Sequence, residues 1–396
     1  MAGTHARLSA SSSERWIECP GSQVRADLLA PDTNEETEFA AEGSCAHEGA
    51  AIALRDGLEG WACIGQKLYT DAEGKVWEFT PEMAEHVQVY LDYIRGSYGA
   101  IGESDIETMV EEKIVCAELG DDFGGTADCV KYRLFTGAGA SFIHIFDFKY
   151  GVGIHVEVKD NTQLMYYAYG ILRKLGIARG DNVRVGMTIV QPRDKVGDPI
   201  REHWTNSDDL LDWAEIVLIP AMQRTKEADA ELKPGAHCRF CPAKLNCPAM
   251  TGMLKGAAEA DPLSIPQMTD ERLALEYELI GPVKFYLRAI EDEAYRRALA
   301  GNPVPGTHLT PGRADRKWKD GAEAVAVERF GDAAYSERKV LSPAQIEKQC
   351  VGGKEFVAEY AYKPDAAPIL KPIKAGGKTV AANFGGAAFA GVKIAP

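Results

Sequence analysis

The sequence of 396 residues has no run of about 18 consecutive apolar residues, the length that a helix needs to cross a bilayer. Residues 1–16 also lack the apolar core of a secretory signal. We therefore expect no membrane segment and a cytoplasmic location. Apolar residues still make up 45% of the chain and charged residues 26%, so the chain can bury a full hydrophobic core.

The chain also lacks the surplus of positive charge that is typical of proteins that bind nucleic acids. It holds 44 Lys and Arg against 59 Asp and Glu, a net charge of −15. Residues 1–254 hold 24 basic and 40 acidic residues, whereas residues 255–396 hold 20 and 19. An acidic protein can still bind phosphate groups where basic strips line its site, so the net charge does not exclude a nucleic-acid substrate.

Residues 124–167 combine predicted regular structure with a concentrated set of polar side chains. Alternating apolar residues predict two strands, 127–135 and 142–148, joined by a turn at 137–140. A longer apolar repeat predicts a helix over 163–175. The segment is therefore expected to form a β-hairpin followed by a helix.

Five polar side chains lie on this frame: Asp128 on the first strand, Asp147 and Lys149 at the end of the second, and Gln163 and Tyr167 one turn apart on the helix. Two carboxylates at the ends of adjacent strands can share a divalent cation, because Mg²⁺ prefers oxygen ligands. A lysine two residues after an aspartate lies on the same face of a strand, and therefore beside that cation. The pattern predicts a hydrolytic metal site.

The order of these residues resembles the core of the PD-(D/E)xK nuclease superfamily, in its RecB-like branch. The family pattern G-x-x-D, (D/E)-x-K and Q-x-x-x-Y corresponds to residues 125–128, 147–149 and 163–167. The resemblance implies an α/β (α+β) fold with a restriction-endonuclease-like core, in which helices flank a mixed central β-sheet. It also implies a Mg²⁺- or Mn²⁺-dependent deoxyribonuclease that hydrolyses DNA from its ends, and hence an exonuclease.

The resemblance further implies which residues bind the metal. His47, on a helix predicted from residue 40 onward, would join Asp128, Asp147 and the carbonyl of Phe148 as ligands of Mg²⁺ or Mn²⁺. Lys149 would orient or deprotonate the attacking water and neutralise phosphate charge. Gln163 and Tyr167, the other catalytic residues that the resemblance implies, would position the scissile strand or the lysine.

Two neighbouring acids on a strand predicted over 108–116 offer a further ligand. Glu111 and Glu112 alternate faces, so one of them can approach the metal. We favour the other interpretation, that both are charges facing solvent.

Nine cysteines in a cytoplasmic chain indicate metal or redox chemistry rather than disulfides. Five are isolated and are expected to be small buried residues: Cys45, Cys63, Cys116, Cys129 and Cys350. Cys238, Cys241 and Cys247 have the spacing C-x₂-C-x₅-C, which predicts three thiolate ligands. Structural sites take four ligands. Cys19 is a candidate for the fourth, because a proline follows it as one follows Cys241 and Cys247; for a zinc ion, His237 is the alternative.

The iron–sulfur RecB-like nucleases, of the AddB type and the CRISPR adaptation type, carry one cysteine before the nuclease core and three after it. This resemblance implies a [4Fe–4S] cluster on Cys19, Cys238, Cys241 and Cys247 that joins the N-terminal segment to the end of the core. The opening around Cys19 and the N-x-Q-L of 161–164 resemble a phage and prophage exonuclease family long labelled as of unknown function. That likeness implies a role in phage recombination or DNA end processing in the bacterial host cytoplasm, with a single-strand annealing protein as a partner.

Three regions are expected: a nuclease domain with its cluster (1–254), a helical or mixed extension that is a candidate for binding DNA or a partner (255–365), and a flexible Gly/Ala/Lys tail (366–396). Within the extension, 269–299 predicts one helix or two that are separated at Gly281-Pro282. Two other functions stay open, namely a non-catalytic iron–sulfur module that binds DNA or acts as a scaffold, and a zinc-stabilised hydrolase of another substrate. The sequence is compatible with an oligomer.

Overall fold

The computed structural model describes residues 6–29, 37–98, 105–135, 140–152, 154–259, 269–311, 316–336, 339–362 and 369–372. The chain divides into two compact units, Met1–Phe285 and Tyr286–Pro396. This division falls after residue 285, whereas the sequence suggested a boundary after residue 254. Over the described ranges, no helix is both long enough and apolar enough to cross a membrane.

The first unit consists of a sheet with helices on both faces. Its strands are β1 (Leu8–Ser9), β2 (Lys67–Thr70), β3 (Val76–Glu78), β4 (Glu107–Ile114), β5 (Phe123–Arg133), β6 (Phe142–Phe148), β7 (Arg184–Val190) and β8 (Ile200–Asn206). Its helices are α1 (Ser13–Glu18), α2 (Pro20–Asp27), α3 (Glu38–Arg55), α4 (Pro81–Gly96), α5 (Thr162–Lys174), α6 (Ser207–Trp213), α7 (Ile219–Arg224) and α8 (Pro248–Glu259). A π-helical turn, Ala214–Leu218, connects α6 and α7.

The central sheet has the strand order β1-β5-β6-β7-β8, and β4 also pairs with β5. Strands β1 and β5 are parallel, as are β6 and β7, whereas β4–β5, β5–β6 and β7–β8 are antiparallel. The predicted fold class, a mixed sheet flanked by helices, is confirmed, and so is the hairpin of β5 and β6. The turn expected at 137–140 falls, except for residue 140, outside the described residues.

Alternation along β6 divides its side chains between two helical layers. Ile143 and Ile145 pack with residues of α5, α6 and α7, whereas Phe142 and Phe146 pack with residues of α3 and α4. Side chains two residues apart share one face of a strand. Asp147 therefore belongs to the face covered by α5, and this register brings its carboxylate to the polar residues of that helix.

The N-terminal segment is bound to both the beginning and the end of the core. The Tyr166 hydroxyl on α5 donates to the Leu8 carbonyl at 2.9 Å and accepts from the Gly124 N–H at 2.6 Å. On α2, the Gly21 N–H donates to the Glu231 carbonyl at 2.8 Å. A β-carbon at Gly21 would lie 2.4 Å from the Ala230 carbonyl oxygen, so only glycine permits this close approach.

Gly21→Ala is expected to lower the free energy of unfolding by about 1–3 kcal/mol, because the added methyl group must push the 230–232 segment away from α2. Gly96→Ala is the matched control, since a β-carbon there meets no atom within 4 Å, and it should change stability by less than about 0.5 kcal/mol. Urea unfolding of the three proteins measures the difference. If Gly21→Ala were as stable as the wild type, the close packing of α2 against residues 230–232 would be contradicted.

The second unit begins within α9 (Asp270–Leu299). Its strands are β9 (Thr307–Thr310), β10 (Lys317–Trp318), β11 (Tyr335–Ser336), β12 (Lys339–Val340), β13 (Ala361–Tyr362) and β14 (Ile369–Pro372), and its other helices are α10 (Ala322–Phe330), α11 (Pro343–Gln349) and α12 (Gly353–Tyr360). Its strands pair as two-stranded ladders, and Phe356 lies at the centre of its small core.

Of the two alternatives for 269–299, the structure shows the single helix: α9 is continuous through Pro282, because a proline removes one hydrogen bond while the turns on either side remain complete. One expectation is wrong. The flexible tail does not begin at residue 366 as expected, since Ile369–Pro372 forms β14 and pairs antiparallel with β9. Pairing with β9 gives the main chain of this segment hydrogen-bond partners, which its Gly/Ala/Lys composition does not predict. Residues 373–396 of the expected tail lie outside the described residues.

Candidate active site

Strands β5 and β6 bring Asp128 and Asp147 to one site. The Phe148 N–H donates to Asp128 Oδ2 at 2.7 Å, which fixes this carboxylate against the end of β6. The first residue of the G-x-x-D pattern leaves room for an aromatic ring: a β-carbon at Gly125 would lie 3.0 Å from Cε1 of Tyr167. The glycine of the pattern is therefore explained by packing against Tyr167, and the aspartate by its place in the site.

Lys149 is held by a short network of polar side chains. Its Nζ lies 3.0 Å from Asp147 Oδ2 and donates to Gln163 Oε1 at 3.0 Å. The Gln163 Nε2 group in turn donates to Asp147 Oδ1 at 3.3 Å and to the Tyr167 hydroxyl at 3.2 Å. Helix α5 begins beside this network, capped by Asn161, whose side chain accepts from the Leu164 N–H. The structure thus brings all five predicted hairpin and helix residues together.

His47 reaches the same site from α3. Its Nδ1 lies 3.4 Å from Asp128 Oδ1, and its ring is 5.3 Å from that of Phe148. One ligand atom each from His47, Glu111 and Asp128 lie within 4.8 Å of one another, a spacing that suits a cation. Asp147 belongs to no such group of three among the described residues. The site therefore has a histidine side and a lysine side, with Asp128 on the former.

The sequence interpretation of Glu111 as a solvent-facing charge is wrong. Glu111 lies in β4 between the pairs Val110–Cys129 and Glu112–Ala127, which sets it opposite Asp128. Its φ of 52° is in the left-handed region, uncommon for a residue other than glycine. Glu112 is at the surface of the sheet, in an ion pair with Lys174.

The electrostatics of the site follow from burial and from its tightly packed acids. Burial, followed by the charge of Asp128, raises the pKa of Glu111 to about 7. Burial also raises the pKa of Asp147, although Lys149 opposes the shift. Burial acts on Asp128 in the same direction, but His47, the Phe148 N–H and Lys149 together outweigh it and hold the Asp128 pKa below its usual value. Glu111 and Asp128, whose ligand atoms lie within 4.8 Å of each other beside His47, form a pair of carboxyl groups that a divalent cation would stabilise.

The site opens into a cleft of about 550 Å³. Its lining residues are Phe39, Ala40, Gly43, Ser44, His47, Glu48, Tyr69, Glu111, Phe148, Lys149, Tyr150 and Gly151. Asp147 Oδ2 is buried and, apart from its ion pair with Lys149, accepts no hydrogen bond from any residue that the structure describes. Carboxylate oxygens are the ligands that Mg²⁺ and Mn²⁺ prefer, and Asp147 Oδ2 still has acceptor capacity for such an ion.

The four predicted cluster cysteines line a second cavity, which we call the cysteine pocket: Cys19, Cys238, Cys241 and Cys247. Main-chain groups hold two of the sulfurs, since the Lys233 N–H donates to Cys19 Sγ at 3.3 Å and the Gly235 N–H to Cys238 Sγ at 3.4 Å. The structure thus brings the cysteine before the core to the three after it.

Spacing within the cysteine pocket bears on which centre it suits. Of the described residues, no three that include these cysteines or His237 have their ligand atoms within 4.8 Å of one another. Zinc bonds of 2.3 Å in a tetrahedron hold sulfurs only about 3.8 Å apart. A four-iron cluster binds each thiolate to a different iron and so accepts wider spacing. His237 is buried, and its Nε2 lies 2.8 Å from the Lys233 carbonyl oxygen. Four thiol sulfurs that are less closely packed than zinc ligands fit an iron–sulfur cluster.

The match to known families covers nearly the whole chain. A family model described as "Protein of unknown function (DUF2800)" matches residues 5–374. This range includes both the candidate active site and the cysteine pocket. The chain therefore belongs to the DUF2800 family.

Proposed function

We propose that this chain is a metal-dependent DNA exonuclease that hydrolyses phosphodiester bonds. The observation that carries the proposal is the convergence of four side chains from three separate elements at one site: His47, Asp128, Asp147 and Lys149. His47 and Lys149 line the cleft, and each pairs with one of the two aspartates. Solvated strand ends would not bury an aspartate to 3% exposure beside a lysine and a second carboxylate. Buried acids with shifted pKa values in a cleft are typical of catalytic sites.

The residues divide the work of hydrolysis between them. The groups that would hold Mg²⁺ or Mn²⁺ are His47, Asp128, Asp147 and the Phe148 carbonyl, together with Glu111, which lies beside His47 and Asp128. The metal, when bound, would supply an activated water and positive charge at the phosphate. The Lys149 ammonium neutralises charge on a phosphoryl oxygen. Gln163 restrains Lys149 through its amide oxygen and Asp147 through its amide nitrogen, so that the two charged groups keep one geometry.

The cysteine pocket has a structural part in this proposal. A [4Fe–4S] cluster on its four cysteines would tie the segment before the core to the segment after it. Such a link closes a long loop and so stabilises the folded unit. The end-processing role, the annealing protein as partner and the bacterial host cytoplasm belong to the same proposal, and they rest on the family resemblance.

A nuclease assay tests the proposal directly. Anaerobically purified protein is incubated with end-labelled linear DNA and with closed circular DNA, in the presence of Mg²⁺, Mn²⁺ or EDTA. Loss of the linear substrate alone, dependent on metal, is the expected result, and the label also gives the polarity. No cleavage of either DNA by protein that contains its cluster would favour a non-catalytic DNA-binding module. Zinc in place of iron would favour the zinc-stabilised hydrolase.

Glu111→Gln is expected to weaken Mn²⁺ binding about tenfold, or ~1.4 kcal/mol, because the site loses one of its negative oxygen ligands. Glu112→Gln is the matched control on the next residue, and its side chain pairs with Lys174 instead. Calorimetric titration with Mn²⁺ in the absence of DNA compares the three proteins. Equal weakening in both variants would mean that Glu111 acts only through net charge.

A further inference from the structure

Arg15 is a buried cation at the edge of the cysteine pocket. Its exposed fraction is 8%, and its carbonyl accepts the Cys19 N–H at 2.9 Å, so it lies one helical turn before that cysteine. Its guanidinium donates to Ser22 Oγ at 2.9 Å and to Gln23 Oε1 at 2.8 Å. Both partners are neutral.

No carboxylate balances this charge directly. Within the described part of the chain, Arg15 has no acidic group at ion-pair distance, and Asp27 is instead paired with Arg7 and bonded by the Gln23 amide. A buried charge without an opposite partner costs several kcal/mol. Burial accordingly lowers the Arg15 pKa, while Cys241 and then Cys19 act in the opposite direction. Ser22, which accepts a hydrogen bond from the guanidinium, also lines the cysteine pocket, so the guanidinium lies beside that pocket.

The missing negative charge can come from the sulfurs themselves. Cysteines lose their protons when they bind a metal, and the pocket then becomes anionic. The N–H groups of Lys233 and Gly235 already point at two of the sulfurs.

We propose that Arg15 is the counter-charge of an anionic iron–thiolate centre on Cys19, Cys238, Cys241 and Cys247. Four thiolates outweigh the positive charge of a cluster core, so the bound centre carries net negative charge beside the guanidinium. Arg15 thereby strengthens iron binding and makes the centre easier to reduce. This inference rests on the proposed cluster and not on nuclease activity.

The variants Arg15→Met and Arg15→Lys test the proposed role of Arg15. Arg133→Met is the control, because it makes the same substitution at an arginine outside the cysteine pocket. Each protein is purified without oxygen and reconstituted with iron and sulfide. We expect Arg15→Met to weaken iron retention against a chelator about 10–100-fold, as loss of a neighbour to metal ligands does. Its midpoint potential should also become more negative, because a nearby cation no longer favours the reduced state. Arg15→Lys and Arg133→Met should stay near wild type.

Stability separates charge balance from a packing role. In the metal-free protein, Arg15→Met should leave the free energy of unfolding unchanged or raise it, since a buried unpaired charge is removed. A packing role would lower that free energy with and without iron and would leave the potential alone. Wild-type iron retention and potential in Arg15→Met, or loss of both in Arg15→Lys, would overturn the proposal. So would a wild-type protein that takes up no iron. Cleavage is not measured, so the outcome is independent of the proposed nuclease activity.

Discussion

Asp147→Asn is expected to abolish DNA cleavage while leaving the fold intact. The change keeps the shape of the side chain but removes the charge that holds Lys149 at 3.0 Å and that would bind the metal in the proposed mechanism. We expect the rate on end-labelled linear DNA to fall about a thousandfold or more, which corresponds to roughly 4 kcal/mol of activation free energy. Initial rates with saturating Mg²⁺ or Mn²⁺ measure the loss.

Asp194→Asn provides the matched control for this result. The side chain of Asp194 is 3% exposed, against 4% for that of Asp147, but it pairs with His155 and Arg201. This variant should lose some stability and retain its cleavage rate. A rate for Asp147→Asn within tenfold of wild type, in folded protein, would exclude Asp147 from the chemistry.

Cys241→Ala is expected to remove the iron and to destabilise the first unit. Joining Cys19 to Cys238 through a cluster closes a loop of roughly 200 residues, which in a chain-entropy treatment contributes about 5 kcal/mol. Once Cys241 is removed and the cluster is lost, α1 and α2 are held to the end of the core by packing and by hydrogen bonds such as that from Gly21 to Glu231. Iron content, visible absorbance and urea unfolding should all show the loss.

Cys116→Ala is the control for deleting a buried thiol. Cys116 has 5% of its surface exposed, against 6% for Cys241, and it lies in the core away from the pocket. It should retain iron and lose only the stability of a small cavity, about 1–2 kcal/mol. If Cys241→Ala were no less stable than Cys116→Ala, the proposed link between the two ends of the core would not stabilise the unit.

The parts of the site that sequence could predict are those governed by local periodicity. Asp147 and Lys149 share a strand face because strands repeat every two residues. Gln163 and Tyr167 share a helix face because helices repeat every 3.6. The relative position of the two residues in each pair is fixed by the strand or helix that carries them. Once the hairpin is predicted correctly, the position of α5 against it is the part that only the folded chain determines.

The parts that sequence could not predict depend on contacts between distant segments. Glu111 differs from Glu112 only through the register of β4 on β5 and its left-handed backbone. Strand β8 mixes charged and apolar residues, and β7 is its one neighbour among the described strands, so its sequence pattern gives little signal. Arg15 reads as an ordinary helical arginine, and its burial appears only when the cysteines after the core reach it. Register and long-range packing are not encoded in local spacing.

The attachment of the N-terminal segment has a consequence for biosynthesis. Strand β1 pairs with β5, which lies about 115 positions later in the chain (Leu8 with Phe123), and Gly21 on α2 binds Glu231, which lies about 210 positions later. Such non-local contacts give a high contact order and slow folding. At 5–20 residues per second, a ribosome needs roughly 10–40 s to supply those partners. During that interval α1, with Trp16 that is fully buried in the finished protein, leaves the exit tunnel without its binding surface and is a natural client for chaperones.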